Sequence, residues 1–202
     1  MLESGLISQT RMSLILALSF IFFSSNAYSS DFNQTYSDVH FSKGEDVSIS
    51  FSSSSGRYTV DYSYYHQNAL YDEERLSYII SSAMNNLIAY SERYRVSYGD
   101  CIANTGLEIY EVSSSIINDG RVRALSDEHR GGVIRGYFDP ILDDTSRVAI
   151  VITYNANYNT NRMLLAHELA HYFYYRMCIW RHSDVSSEDF ASGFEAYYMS
   201  RI

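Results

Sequence analysis

Lysine is almost missing from this chain. Lys43 is the only one, and Lys+Arg number 15 against 24 Asp+Glu in 202 residues, a formal net charge of −9 at pH 7. Phosphate recognition normally brings a basic face, so this balance argues against nucleic acid as a partner. The local basic cluster Arg121, Arg123, Arg130 and Arg135 reads instead as a solvated strand surface. Cysteine is scarce as well. Cys101 and Cys178 permit one intramolecular bridge in an oxidising compartment, which would tie the segment around Cys178 to the first half of the domain. The alternatives are a buried free thiol or a thiolate metal ligand, and the latter would close a metal site and make it structural. An apolar run of membrane-spanning length is also lacking: Ser13 to Phe23 is about a dozen residues, against about 20 for a spanning helix, and Ser24 to Asn33 is polar.

That short run, followed by the small-x-small pattern Ser25-Asn26-Ala27, reads as a secretory signal peptide over residues 1–27. Arg11 is its only basic residue, and Met12 is an alternative start. No cysteine follows the run, which argues against lipid modification. The expectation is a secreted or periplasmic protein with no stable membrane insertion after signal cleavage. Cleavage removes Glu3 and Arg11 together, so the remaining chain is equally acidic.

What the chain does contain is His167-Glu168-Leu169-Ala170-His171, an HExxH motif. Residues four apart on an α-helix project from one face, roughly 6 Å apart at Cβ, so both imidazoles reach one metal ion. Zn²⁺ is the expected cofactor. Glu168, next to the first histidine, falls beside the metal rather than on it, where a water-activating base belongs. The surrounding stretch Asn161 to Trp180 reads as helix through Met163, Leu164, Leu165, Leu169, Tyr172 and Phe173, with Asn159 or Thr160 as N-cap. Two histidines lining an ordinary core helix would be the plainer reading. Burying them with Glu168 on so apolar a helix is costly without a metal or hydrogen-bond partners.

The length fits one domain, and no repeat is present. Residues 28–66 form a Ser/Tyr-rich N-terminal extension, with a marginal β-hairpin suggested by Val47, Ile49, Phe51, then Tyr58, Val60, Tyr62, Tyr64 around Gly56. Residues 67–202 carry the domain. A helix is expected from Asp72 to about Tyr94, with Leu76, Ile79, Ile80, Ala83, Met84, Leu87 and Ile88 at helical spacing. Strands follow at Leu107–Val112, Arg121–Leu125, Gly132–Phe138 and Arg147–Tyr154, the last apolar enough to be central. The HExxH helix comes next, then a closing helix from Ser186 or Ser187 with Phe190, Phe194 and Tyr198 on one stripe.

This order of HExxH and flanking elements resembles the zincin-type zinc metallopeptidases. The resemblance implies an α+β fold in which a twisted, mostly antiparallel sheet carries an N-terminal helix, the HExxH helix and a C-terminal ligand helix. It implies that Gly132 to Phe138 is an edge strand able to pair with an extended peptide. The metzincin continuation HExxHxxGxxH is excluded, because Tyr174 and Met177 hold its diagnostic positions. Glu188-Asp-Phe-Ala191-Ser-Gly-Phe194 resembles the E-x-x-A-x-x-F segment of compact, lethal-factor-type gluzincins, over a likeness running from about Asp72 to the C-terminal end. That implies a zinc site of His167, His171 and Glu188, with Glu195, Asp189 and His182 as rival ligands. Glu168 is then the general base of peptide-bond hydrolysis. The oxyanion donor is His182 or one of Tyr174, Tyr175, Tyr197 and Tyr198, since Arg181 stands where that family has its tyrosine. The implied partner is a protein or peptide substrate, and the sequence carries no signal for oligomeric state. The reading from a different class is a non-catalytic secreted module with structural zinc or none, acting as an adhesin or inhibitor. The intact Glu168 argues against it, because a structural site has no use for a base.

Overall fold

Alternation of apolar and polar residues with a period of two builds the first part of the sheet. The structure, a computed structural model, describes residues 35–53, 56–67, 73–94, 106–119, 121, 135–139, 148–153 and 157–202. Strand β1 (Ser42–Ser53) and strand β2 (Gly56–His66) pair antiparallel, with Val47 opposite Tyr62, Ile49 opposite Val60 and Phe51 opposite Tyr58. The hairpin is therefore present, but it is no separate extension. Strand β2 also pairs in parallel with β3 (Leu107–Val112), Tyr62 beside Leu107 and Tyr64 beside Ile109. Phe51, Val60, Tyr62 and Tyr64 are buried in the main core. The division expected at residues 66 and 67 thus does not follow a break in the fold: the apolar face of the hairpin is too large to leave in water.

The sheet runs in the order β1-β2-β3-β5-β4, where β4 is Gly136–Asp139 and β5 is Val148–Thr153. Its outer pairs are antiparallel and its two inner pairs parallel, and the long hairpin gives antiparallel pairing the larger share. Every residue of β5 is buried, as its apolar, β-branched composition requires of a central strand. Alternate side chains separate two layers. Leu107, Ile109, Val148, Ile150, Ile152 and Phe138 face the helices. Tyr110, Val112, Ala149, Val151 and Tyr137 face the opposite way, onto Tyr36 and Ile117, the latter in the short helix α2 (Ser114–Ile117).

Helix α1 (Glu73–Ser91), extended by a 3₁₀ turn at Glu92–Tyr94, buries all seven of the apolar positions expected of it. Helix α3 (Tyr158–Arg176) carries HExxH. Its N-cap is Asn157, whose side chain accepts from the amides of Asn159 and Thr160, so the cap lies two or three residues before the positions expected of it. It stops where Cys178 takes a left-handed conformation (φ 56°), before helix α4 (Ile179–His182). Helix α5 (Ser187–Met199) closes the described fold. The α+β architecture is as expected. Among the described residues no helix is long and apolar enough to cross a membrane.

Some expectations fall elsewhere. The signal peptide, residues 122–125 and 132–134, and Cys101 lie outside the described residues. Arg121 is described: it is ion-paired with Asp38 at 2.8 Å and Asp119 at 3.2 Å and lies over the Tyr36 ring. These pairs, led by the hydrogen bonds from Arg121, hold both carboxyls below their usual range. Cys178 is disulfide-bonded, and Cys101 is the only other cysteine in the chain. Replacing Cys178 by Ser is expected to lower the unfolding free energy by about 2–4 kcal/mol, measured by denaturant titration, with reductant lowering the native chain to match.

Candidate metal centre

Two helices hold the site, and their mutual orientation is fixed at both ends. Near the start of α3, Arg162 Nε donates to the hydroxyl of Tyr198 near the end of α5, at 2.9 Å. Towards the end of α3, the Tyr174 hydroxyl donates to the carbonyl of Val185, just before α5, at 2.9 Å. The helices therefore run antiparallel. Phe190, Ala191, Phe194 and Tyr198 form the buried stripe of α5, and the Tyr90 ring meets Phe190 and Phe194 edge-on from α1. At Gly193 a Cβ would stand 2.4 Å from the Tyr90 hydroxyl, so only glycine permits this approach. Ser186 caps α5 by accepting from the Asp189 amide at 3.0 Å, leaving Glu188 in its first turn.

His167 and His171 bring their Nε2 atoms to 3.1 Å of each other. Glu188 lies across from them, with Oε1 3.4 Å from the Nε2 of His167 and Oε2 3.4 Å from that of His171. Ligand bonds of 2.0–2.1 Å in tetrahedral geometry place neighbouring donor atoms roughly 3.3 Å apart. The two imidazole nitrogens stand near that spacing, one donor atom from each of the three residues lies within 4.8 Å of the others, and the donor set His₂Glu suits zinc. Glu188 is 60% exposed, so solvent reaches the group from its side. Of the rival ligands, Glu195 stands on the far side of His167, its Oε2 3.0 Å from Nδ1. Asp189 is turned to the Ser186 hydroxyl at the helix cap. The Nδ1 of His171 meets the Ser187 hydroxyl at 2.7 Å.

Glu168 points under this group, towards the edge strand. It is only 5% exposed. Burial first, and then the charges of Glu188 and Glu195, push its carboxyl well above the usual carboxylate range. Three carboxylates and two imidazoles therefore converge with no lysine or arginine ion-paired to them among the described residues, an arrangement that a divalent cation would neutralise. On the other side of the carboxylate is Gly136 of β4, where a Cβ would come 2.2 Å from Glu168 Oε1. Two residues along, the Phe138 ring stacks parallel to His171 at 6.3 Å and against Tyr175 at 5.8 Å.

The backbone of β4 alternates too. The Thr153 amide donates to the Arg135 carbonyl at 2.8 Å, and in antiparallel register Tyr137 likewise faces β5. Gly136 and Phe138 consequently turn their N–H and C=O groups to the outer edge. Among the described residues no strand pairs there. The proposed oxyanion donors fare differently. Tyr174 and Tyr198 are buried, and their hydroxyls are engaged in the helix pairing. The Tyr197 ring lies against the guanidinium groups of Arg93 and Arg201. Tyr175 remains half-buried beside Phe138. His182 is the last residue of α4, and its side chain lies outside the described part.

Sequence reasoning missed two residues of this centre. A glycine inside a strand marks a bulge or a close approach, and Gly136 carried that signal. Ser187 carried none beyond its place next to Glu188. No protein-family model, no curated protein and no solved structure matches this chain. Gly136→Ala is expected to destabilise the fold by about 1–3 kcal/mol through overpacking against Glu168. Adding Glu168→Ala should recover most of that loss, and a double-mutant cycle of unfolding free energies measures the coupling.

Proposed function

We propose that this chain is an exported, zinc-dependent metallopeptidase that hydrolyses peptide bonds with Glu168 as general base. The observation that carries the reading is the convergence of His167, His171 and Glu188, one donor atom of each within 4.8 Å of the others, beside a buried carboxylate that belongs to none of them. A closed structural site would have a fourth protein ligand, whereas three ligands with an open side are what a hydrolytic zinc site requires. Zinc held by these residues would supply Lewis acidity to polarise a carbonyl and to make water nucleophilic near neutral pH.

The chain's own residues do the rest. Glu168 accepts the proton of the attacking water and returns it to the leaving nitrogen. Gly136 keeps the space in which that carboxylate lies. The outward N–H and C=O groups of Gly136 and Phe138 offer an extended peptide a strand to pair with, next to the base. Export is supported by the apolar segment before residue 28 and by the disulfide at Cys178, a bond that persists in oxidising compartments.

The test is elemental mass spectrometry of the purified chain beside His167→Ala, coupled to a peptide-library cleavage assay with Glu168→Gln. The expected result is about one zinc per chain, lost in the histidine variant. Glu168→Gln should keep its zinc and lose hydrolysis by at least about a hundredfold. Unchanged cleavage in Glu168→Gln would remove the base from the mechanism. A folded wild type that takes up no zinc would replace this reading with a secreted binding module acting as adhesin or inhibitor.

A further inference from the structure

We infer that Glu195 is the positioning residue of the centre, holding the His167 proton on Nδ1 and so turning its Nε2 lone pair towards Glu188, while Ser187 holds His171 without dictating its proton. The inference rests on the metallopeptidase reading only in assuming that the Nε2 atoms are metal donors. Helix α5 then contributes three residues in distinct roles. Glu188 faces the Nε2 atoms of both rings, Glu195 stands two turns later at the Nδ1 of His167, and Ser187 meets the Nδ1 of His171.

The difference between the two Nδ1 partners follows from what each can do in a hydrogen bond. An ionised carboxylate only accepts, so a ring nitrogen 3.0 Å from Glu195 Oε2 must donate, and its hydrogen lies on Nδ1. Neutral imidazole carries one N–H, so Nε2 is left as the lone-pair atom. The bond is charge-assisted and raises the electron density that Nε2 offers. A serine hydroxyl both donates and accepts, so the 2.7 Å contact to His171 orients that ring in either tautomer. One ligand is therefore fixed in orientation and proton position, and the other in orientation alone. Glu195 is 30% exposed and reaches His167 from the side away from Glu188, which is why it suits this role rather than that of third ligand.

The decisive experiment compares the full chain with Glu195→Gln, Glu195→Ala and Ser187→Ala. Zinc affinity is read by competition with a chromophoric chelator, and the histidine tautomers by long-range ¹H–¹⁵N correlation. Both glutamate variants should bind zinc about 10- to 100-fold more weakly, and Ser187→Ala less than about tenfold more weakly. The spectrum of the zinc-free wild type should show His167 protonated on Nδ1, and that of Glu195→Gln a mixture of both tautomers, a change that loss of packing alone would not produce. Wild-type affinity in Glu195→Gln, or His167 protonated on Nε2 in the wild type, would overturn the inference. So would zinc lost completely in Glu195→Ala but kept in Glu188→Ala, since Glu195 would then be the third ligand. If the wild type binds no zinc, the metallopeptidase reading fails, while the tautomer spectrum still decides what Glu195 does to His167.

Discussion

The antiparallel contact between α3 and α5 is the constraint from which the candidate centre follows. The two histidines are positioned by one helix alone, because four residues of α-helix bring them to the same face. Glu188, Glu195 and Ser187, which meet their nitrogens, all come from the other helix. A shift of α5 by one turn, 5.4 Å, would remove Glu188 and Glu195 together. Against such a shift stand Arg162 on Tyr198 at one end, Tyr174 on Val185 at the other, and between them an aromatic stripe held by Tyr90. Buried polar contacts suit this task, since a displaced partner leaves an unsatisfied group that costs about 1–3 kcal/mol.

The parts of the fold that rest on strong periodicity could be read in the sequence. Seven apolar residues at helical spacing gave α1, and an unbroken β-branched run gave β5 as a central strand. The pairing of His167 with His171 needs only local geometry, so it too was legible. The hairpin was legible as well, but its place in the main sheet was not, because its tyrosines and serines alternate in a way that fits both an exposed ribbon and a buried one. What settles the matter is a parallel neighbour, β3, some forty residues further on, which no local pattern announces. The helix start was misplaced for a related reason. Three asparagines lie in the five residues from Asn157 to Asn161 with Tyr158 and Thr160 between them, and only the backbone conformation selects Asn157 as the cap.

The candidate centre shows the same division. Glu188 and Glu195 lie two turns apart on one helix, and the sequence offered both as ligands. Their separate positions depend on where the His167 ring falls between them, which is a property of the packed pair of helices. Gly136 belongs to a third element altogether. Its value lies in the side chain it lacks, so a search for chemically active residue types passes over it. Sheet and helix meet there through a single carboxylate pressed against bare backbone.

The two faces of the sheet divide the labour of the molecule. Tyr36 is fully buried on the face away from α3, under the Arg121 guanidinium, and Val39 and Phe41 pack beside it. The chain then enters β1 and β2 as part of the sheet itself. An inhibitory prosegment must lie across the donors it blocks, and residues 35–53 and 56–66 are committed either to the rear of the sheet or to its strands. This stretch serves the fold as foundation rather than as a cover, and removing it would take away two strands and part of each core instead of unmasking the centre.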